Sequence, residues 1–370
     1  MNKKALILFF FPLSLVACNS SVKKSSELII LDSIQTEFKE SHMPLLSTII
    51  TKNYISDSLL IIYSKKNKKL LIYSVENHRI ERSIKLDNQI GSQNSNVYIN
   101  PFGKMYILNS EFNSISTRLI DDSTELQMKF PSVLDSFTVY CLGSTFRISA
   151  DSQFVLDKIP SYISPIENKE NFKNFFSMEM YRTYKIVDGS IRELNNFGAF
   201  PEDYKENFYN SFSPVSFFIE NDSVVSYIFD KTDYIYTVSL KTGKTLGTIK
   251  LKNGGFNTNP INIEKTADLS TAKKYDIQNR ISFILFKDKV DDCYLLIVKE
   301  PIEFINGDGT LNEWEDAPFS IYKVNMKGDI IEKVKIPDYI DPRYCIMYNN
   351  KIIMRRKHSK IVKFYITHLP

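Results

Sequence analysis

The chain has 370 residues, with 47 Lys and Arg against 43 Asp and Glu and a formal charge of +4. That balance leaves no long-range positive field to recruit nucleic acid. Glycine is scarce at 12 residues, which argues against a Gly-rich phosphate loop or a dinucleotide-binding fold, whereas 21 Tyr and 26 Phe suit half-buried pleated surfaces.

At the N-terminus, Met1 to Lys4 form a basic stretch, Ala5 to Val16 an apolar run, and Ala17-Cys18 a small residue before a cysteine. This order is that of a secretory signal, and Leu15-Val16-Ala17-Cys18 resembles the lipobox of bacterial lipoproteins. The resemblance implies a signal peptide over 1–17 and acylation of the Cys18 thiol; a plain signal peptide with a free cysteine is the alternative. The apolar run is short of the ~20 residues that span a bilayer as a helix, and no later run is long and apolar enough to span. Stable anchoring takes two or more acyl chains, so the N-terminal lipid alone is expected to hold the mature chain to a membrane. Loss of Lys3 and Lys4 with the leader lowers the formal charge from +4 to +2.

Residues 18–26 are polar and aromatic-free and read as a flexible tether. Asn19 stands where an aspartate marks inner-membrane retention, and Lys23-Lys24 stand where an acidic surface-export signal would lie. Together they point to the periplasmic face of the outer membrane.

From residue 27 to 370 the pattern is one of short strands with period-two alternation and little at 3.6. The clearest unit runs from Val215 to Leu251, with strands at 216–219, 224–229, 234–240 and 245–251 and a Thr242-Gly243 hairpin turn. Four strands in this span is the size of one propeller blade. A first unit shows strands at 59–63, 68–75 and 79–86. The next shows 97–99, 105–109, 114–120 and 126–130. The following one begins at Phe146-Arg147-Ile148 and 154–156, is interrupted by 160–178, and resumes at 181–187 and 190–194. Another has 281–286, 293–298, 319–324 and 330–336, and the last has only 344–348, 352–356 and 361–367.

Leu28 to Ile34 is an unpaired strand, placed to complete the last unit and close a ring without open edges. The outer hairpins share an aromatic-x-Val/Ile pattern: Tyr73-Ser74-Val75, Tyr184-Lys185-Ile186, Tyr236-Thr237-Val238 and Tyr322-Lys323-Val324. The expected fold is therefore all-β, a six-bladed β-propeller with the N-terminal strand closing the last blade; a β-sandwich array is the alternative. Lipobox, degenerate repeats and hairpin pattern together resemble the uncharacterised six-bladed propeller lipoproteins of Bacteroidota. The resemblance implies fold and location and carries no biochemical role.

Chemical motifs are sparse. The chain has no His-Glu-x-x-His, Gly-x-Ser-x-Gly, Cys-x-x-Cys or Walker loop, and His42, His78, His358 and His368 are scattered. No metal, no cofactor and no catalytic residue is assigned. Cys141, Cys293 and Cys345 are an odd set that allows at most one disulfide, with Cys293 and Cys345 able to pair; three buried thiols are the simpler reading.

The segment from Phe304 to Asp316 interrupts a blade and holds the only tryptophan. As a calcium loop it fails, with Leu311 at the glycine position and Ala317 at the last ligand. It reads either as a polar loop with Trp314 packed on its own blade, or as a ligand loop in which Trp314 stacks on a ring and Asp308 or Glu315 supplies hydrogen bonds. Insertions at 160–178, with Ile166, Phe172, Phe175 and Phe176 near one face of a short helix, and at 196–211 either present a partner-binding face, or plug the central channel or cap a neighbouring blade. The expected function is a lipid-anchored, non-enzymatic protein-binding or scaffolding protein of the envelope. A glycan- or peptide-binding lipoprotein is the alternative, and a propeller hydrolase or lyase stands behind both.

Overall fold

The computed structural model describes residues 26–369 except 40–44, 52–57, 65–67, 76, 87–94, 100–103, 110–113, 120–125, 131–136, 141–147, 150–151, 161–168, 210–215, 222, 253–259, 262–268, 289, 349–350 and 360. The leader, Cys18, the tether up to residue 25 and Cys141 lie outside the described residues.

The chain starts with β1 (Ser26–Glu27) and β2 (Ile29–Lys39). Five antiparallel sheets of four consecutive strands follow. The first is β3 (Leu45–Thr51), β4 (Ser58–Ser64), β5 (Lys69–Ser74) and β6 (Arg79–Lys85). The second is β7 (Ser95–Ile99), β8 (Lys104–Asn109), β9 (Ser114–Leu119) and β10 (Leu126–Lys129). The third is β11 (Phe137–Tyr140), β12 (Gln153–Pro160), β13 (Glu179–Val187) and β14 (Ser190–Ala199). The fourth is β15 (Ser216–Asn221), β16 (Val224–Ile228), β17 (Tyr234–Ser239) and β18 (Thr245–Lys250). The fifth is β19 (Ile281–Asp288), β20 (Cys293–Lys299), β21 (Phe319–Asn325) and β22 (Ile330–Ile336).

A sixth sheet contains β23 (Ile340–Tyr348), β24 (Lys351–Arg356) and β25 (Ile361–His368), and its fourth strand is β2. Ile29 pairs opposite His368 and Ile34 opposite Phe364. The N-terminal strand thus joins the C-terminal three, as its apolar run and their missing partner imply. β1 adds in parallel to the free edge of β22, so the segment touches the fifth sheet before entering the sixth.

Six apolar clusters among the described residues each lie between consecutive sheets. Leu70, Ile72 and Ile107 fill the gap between the first and second, Phe130, Phe154 and Tyr184 that between the second and third. Tyr181, Phe197 and Tyr227 pack between the third and fourth, and Ile235, Leu285 and Leu296 between the fourth and fifth. Ile297, Ile321 and Ile352 join the fifth to the sixth, and Ile34, Leu60, Ile346 and Phe364 join the sixth to the first. Innermost strands β3 and β7, β15 and β19, and β19 and β23 adjoin in the same order, with β23 of the last sheet beside β3 of the first. Sheets packed face to face around a ring are the propeller arrangement.

A second contact repeats around the ring. The turn between the third and fourth strands of a sheet docks on the outer strand of the sheet before it. Gly189 meets Leu126 of β10, Gly243 sits against Asn196 of β14, and Gly328 against the Lys250 carbonyl at the end of β18. His78, in the corresponding turn of the first sheet, pairs with Asp32 of β2, so the sixth and first sheets meet in the same way. Asn195 Nδ2 reinforces one such joint, donating to the carbonyls of Leu240 and Lys241 at 3.0 and 2.8 Å.

The Tyr-x-Val/Ile pattern has a structural counterpart. In all four sheets that carry it, the register of third and fourth strands shifts next to the tyrosine: just before it between Ile72 and Tyr73 and between Thr183 and Tyr184, and one residue after it between Thr237 and Val238 and between Lys323 and Val324. Such bulges increase local twist and set the outer strand at an angle to the rest.

Two inner strands differ from the sequence expectation. The first sheet opens with Leu45–Thr51, where no strand is expected, and a register shift between Leu46 and Thr48 explains why its alternation is hard to read. The third opens with Phe137–Tyr140 rather than 146–148; Phe146 and Arg147 lie outside the described residues, and Ile148 forms only an isolated bridge to Phe154. Cys293 and Cys345 are free thiols, the first buried and pushed up to about 11 by that burial. No helix among the described residues is long and apolar enough to cross a membrane.

Candidate functional site

In an up-and-down four-stranded sheet, the second connection and the link to the next sheet leave from the same end. Four long insertions that carry described structure fall in those positions. Helix α1 (Lys169–Phe176) lies between β12 and β13, a 3-10 turn (Glu202–Lys205) follows β14, helix α2 (Leu269–Gln278) precedes β19, and 300–318 links β20 to β21. Direct contacts join them into one layer over the third to sixth sheets.

The layer begins as an aromatic cap. α1 presents Phe172, Phe175 and Phe176 at helical spacing, and all three are buried. Phe176 packs on Phe200 at 4.9 Å and on Tyr204 of the turn at 5.8 Å, and Tyr204 reaches Phe229 at 6.0 Å. Ile166, expected on the same helical face, lies outside the described residues. Burial pushes the Tyr204 hydroxyl well up, with Asp230 adding to the effect. Of the two readings of this insertion, its phenylalanines follow the second: they cap the joint between third and fourth sheets.

Next to the cap is a set of buried charges. Lys231 is buried, donates to Asp276 Oδ1 of α2 at 2.9 Å, and stands 5.1 Å from the Tyr275 ring. Lys299, at the end of the wholly buried β20, donates to the carbonyls of Ile277 and Glu300 at 3.0 and 3.2 Å. Burial, and then the nearby Lys231 charge, bring Lys299 down to about 8. Glu300 accepts from the Tyr322 hydroxyl at 2.7 Å, from Lys333 at 2.8 Å and from Arg280 at 2.9–3.0 Å. Burial alone would raise the Glu300 carboxyl, but the donors of Lys333, Tyr322 and Arg280 outweigh it and lower it.

At the inner end of the layer stand the residues expected from sequence. Trp314 is half-buried in a short 3-10 turn (Trp314–Asp316), its ring 5.2 Å from Phe319 and 6.0 Å from Phe283, both in its own sheet. The Arg343 guanidinium of β23 lies 5.6 Å from the indole, donates to Glu315 Oε1 at 2.9 Å, and forks onto Asp341 with two further bonds of 2.9 Å. A register shift between Asp341 and Cys345 lets β23 turn this arginine outward. Trp314 and Glu315 thus come together around an arginine that the sequence reading did not select. Asp308 belongs to a separate exposed hairpin, where the Thr310 hydroxyl and amide donate to it at 2.7 and 2.9 Å and hold its carboxyl below the usual range. Asn306 Nδ2 donates to the Thr310 hydroxyl at 3.1 Å, so the polar groups of this hairpin bond to one another. No group of three metal-ligating side chains occurs among the described residues.

Chemically, the layer offers a rim of exposed charge on a rigid base: Lys273 paired with Glu313, Arg343 with Glu315, and Trp314 as the aromatic between. Lys231, Lys299, Glu300 and Arg343 escaped the sequence reading because each also has a partner distant in the chain: Asp276, Ile277, Tyr322 and Glu315. The one available signal was the Lys299-Glu300 pair closing an apolar strand.

No family model and no curated protein matches the sequence. Among solved structures, a member of the DUF4221 family from Bacteroides vulgatus is similar at 14% identity and a TM-score of 0.64, covering 92% of this chain and 97% of that one. Virginiamycin B lyase from Staphylococcus aureus matches at 12% identity and a TM-score of 0.47, over 92% and 99% of the two chains. The calcium-binding protein regucalcin from Agrobacterium tumefaciens matches at 8% and 0.47, over 93% and 97%. At 14% identity the likeness to the first of these speaks of fold alone, and with the sheet order above it makes this chain an all-β propeller.

Proposed function

We propose that the protein is a lipid-anchored component of the cell envelope that binds another envelope protein through one end of a six-bladed ring, without catalysing a reaction. The observation that carries this reading is the convergence of four long insertions on one end of the sheets. Loops gathered on a rigid scaffold are where propellers and other β-folds place their binding residues. The six sheets, each packed on the next, support the count of six blades. The basic leader, the apolar run and Cys18 support export and acylation, and Asn19 with Lys23-Lys24 favours the periplasmic face of the outer membrane. Affinity purification of tagged full-length protein from solubilised envelopes, beside Cys18→Ser, tests it. A stoichiometric protein partner retained with the wild type and lost with Cys18→Ser is expected; a wild-type protein recovered alone would overturn it.

Glycan or peptide binding is a second reading, favoured by Trp314 standing half-buried beside the charged Arg343 and Glu315. A glycan and peptide panel in which Trp314→Ala behaves as wild type would remove that assignment.

A further inference from the structure

Five of the six outer strands expose a single large aliphatic side chain each: Ile80 on β6, Leu126 on β10, Leu194 on β14, Leu246 on β18 and Ile331 on β22. Isolated residues of this kind are ordinary protein surface. β2 departs from the rule with three in succession, Ile29, Ile30 and Leu31, at 45%, 37% and 50% exposure. The core does not require them: on either side of the run, Leu28 just before β2 and Ile34 and Thr36 within it are the buried residues described. Leu31 is the extra residue of a bulge, since Ile30 pairs with Thr367 and Asp32 with Ile366. Asp32, the acid that ends the run, is held by His78.

The path of the chain indicates what covers them. β1 lies on the outer edge of β22, so the chain enters β2 from the outside of the ring. Eight residue steps separate Cys18 from Ser26, which at full extension is about 28 Å. Residues 19–25 contain Lys23 and Lys24 and no acid, complementary to anionic lipid headgroups. We propose that Ile29-Ile30-Leu31 is a membrane-contact surface, which lays the outer wall of the ring at the fifth and sixth sheets against the lipid. This contact rests on the Cys18 anchor of the proposed function. It sets the orientation of the protein, so that the insertion layer is offered beside the membrane rather than toward or away from it.

The test uses the full-length lipidated protein in vesicles of phosphatidylethanolamine and phosphatidylglycerol with brominated acyl chains. Leu31→Trp is made in a Trp314→Phe background, so that the new indole is the only one. Leu194→Trp, three sheets away, is the matched control. The fluorescence of Leu31→Trp is expected to lose about half or more of its intensity, as for an indole at the acyl boundary, while Leu194→Trp keeps its own. Equal quenching of both variants, or of neither, overturns the contact while leaving the anchor standing. Mass spectrometry of the N-terminal fragment is read on the same sample. Absence of acyl chains at Cys18 overturns the anchor, and this inference with it.

Discussion

Lys299 is a buried amine that donates to the carbonyls of Ile277 and Glu300, which its neutral form satisfies equally. Its folded pKa of about 8 lies below the ~10.4 of an unfolded lysine. Between those values the unfolded chain binds more protons, so stability rises with pH. Below about 8 both states are charged and the cost of burying the charge is felt in full. The gain across the window is at most about 3 kcal/mol. Above pH 10 buried tyrosines reverse the trend, because Tyr184 is pushed up to about 12 by burial and the unfolded chain then loses protons first. Chemical unfolding from pH 7 to 11 should therefore show a stability maximum near pH 10, and Lys299→Met should flatten the rise below it; an unchanged slope in the variant would assign the rise to another group. At Gly328, φ is +83° and an added Cβ would stand 1.9 Å from the Lys250 carbonyl oxygen. Gly328→Ala is expected to cost more than about 2 kcal/mol, because both the backbone region and the joint to β18 are violated. Gly247, whose missing Cβ would meet nothing, is the control site for the same denaturation measurement.

At the scale of elements, most strands were legible because each sheet's middle strands are aromatic and β-branched and its hairpins carry turn residues. The strands from Val224 to Lys250 and from Ile281 to Ile336 lie where the alternation puts them. β3 and β11 were not legible. They are innermost strands, β11 only four residues long and β3 broken by a register shift, so neither shows a sustained alternation of its own. The candidate site was legible in part: Trp314 and Glu315 were named, but the Arg343 that joins them sits on the next sheet. α1 illustrates the same limit from the other side. Its phenylalanines are visible in sequence, yet whether they face a partner or their own molecule depends on Phe200, Tyr204 and Phe208. Phe176→Ala, which removes a fully buried ring from this cluster, is expected to destabilise by about 3–5 kcal/mol. Equilibrium denaturation showing a loss under about 1 kcal/mol would mean that α1 is free to leave the cap.

For the whole molecule, one short segment carries the closure. β1 lies on the fifth sheet, β2 completes the sixth, and Asp32 reaches the first through His78. Ile34 is the buried anchor of that strand, packed with Leu60, Ile346 and Phe364 across the joint between last and first sheets. Ile34→Ala should cost about 2–5 kcal/mol by cavity formation, measurable as a lower denaturant midpoint, and the strand should lose amide protection before the other five sheets. Simultaneous loss of protection everywhere would mean that closure and blades are one cooperative unit. With the ring closed, the two ends of the strands become chemically distinct surfaces. Partner binding at the insertion-bearing end is tested most directly by matched charge reversals during affinity purification from envelopes. Lys273→Glu with Arg343→Glu alters that end, and Lys244→Glu with Lys327→Glu alters the hairpin turns at the other. The account predicts that the partner is lost with the first pair and retained with the second; retention with the first pair and loss with the second would contradict it.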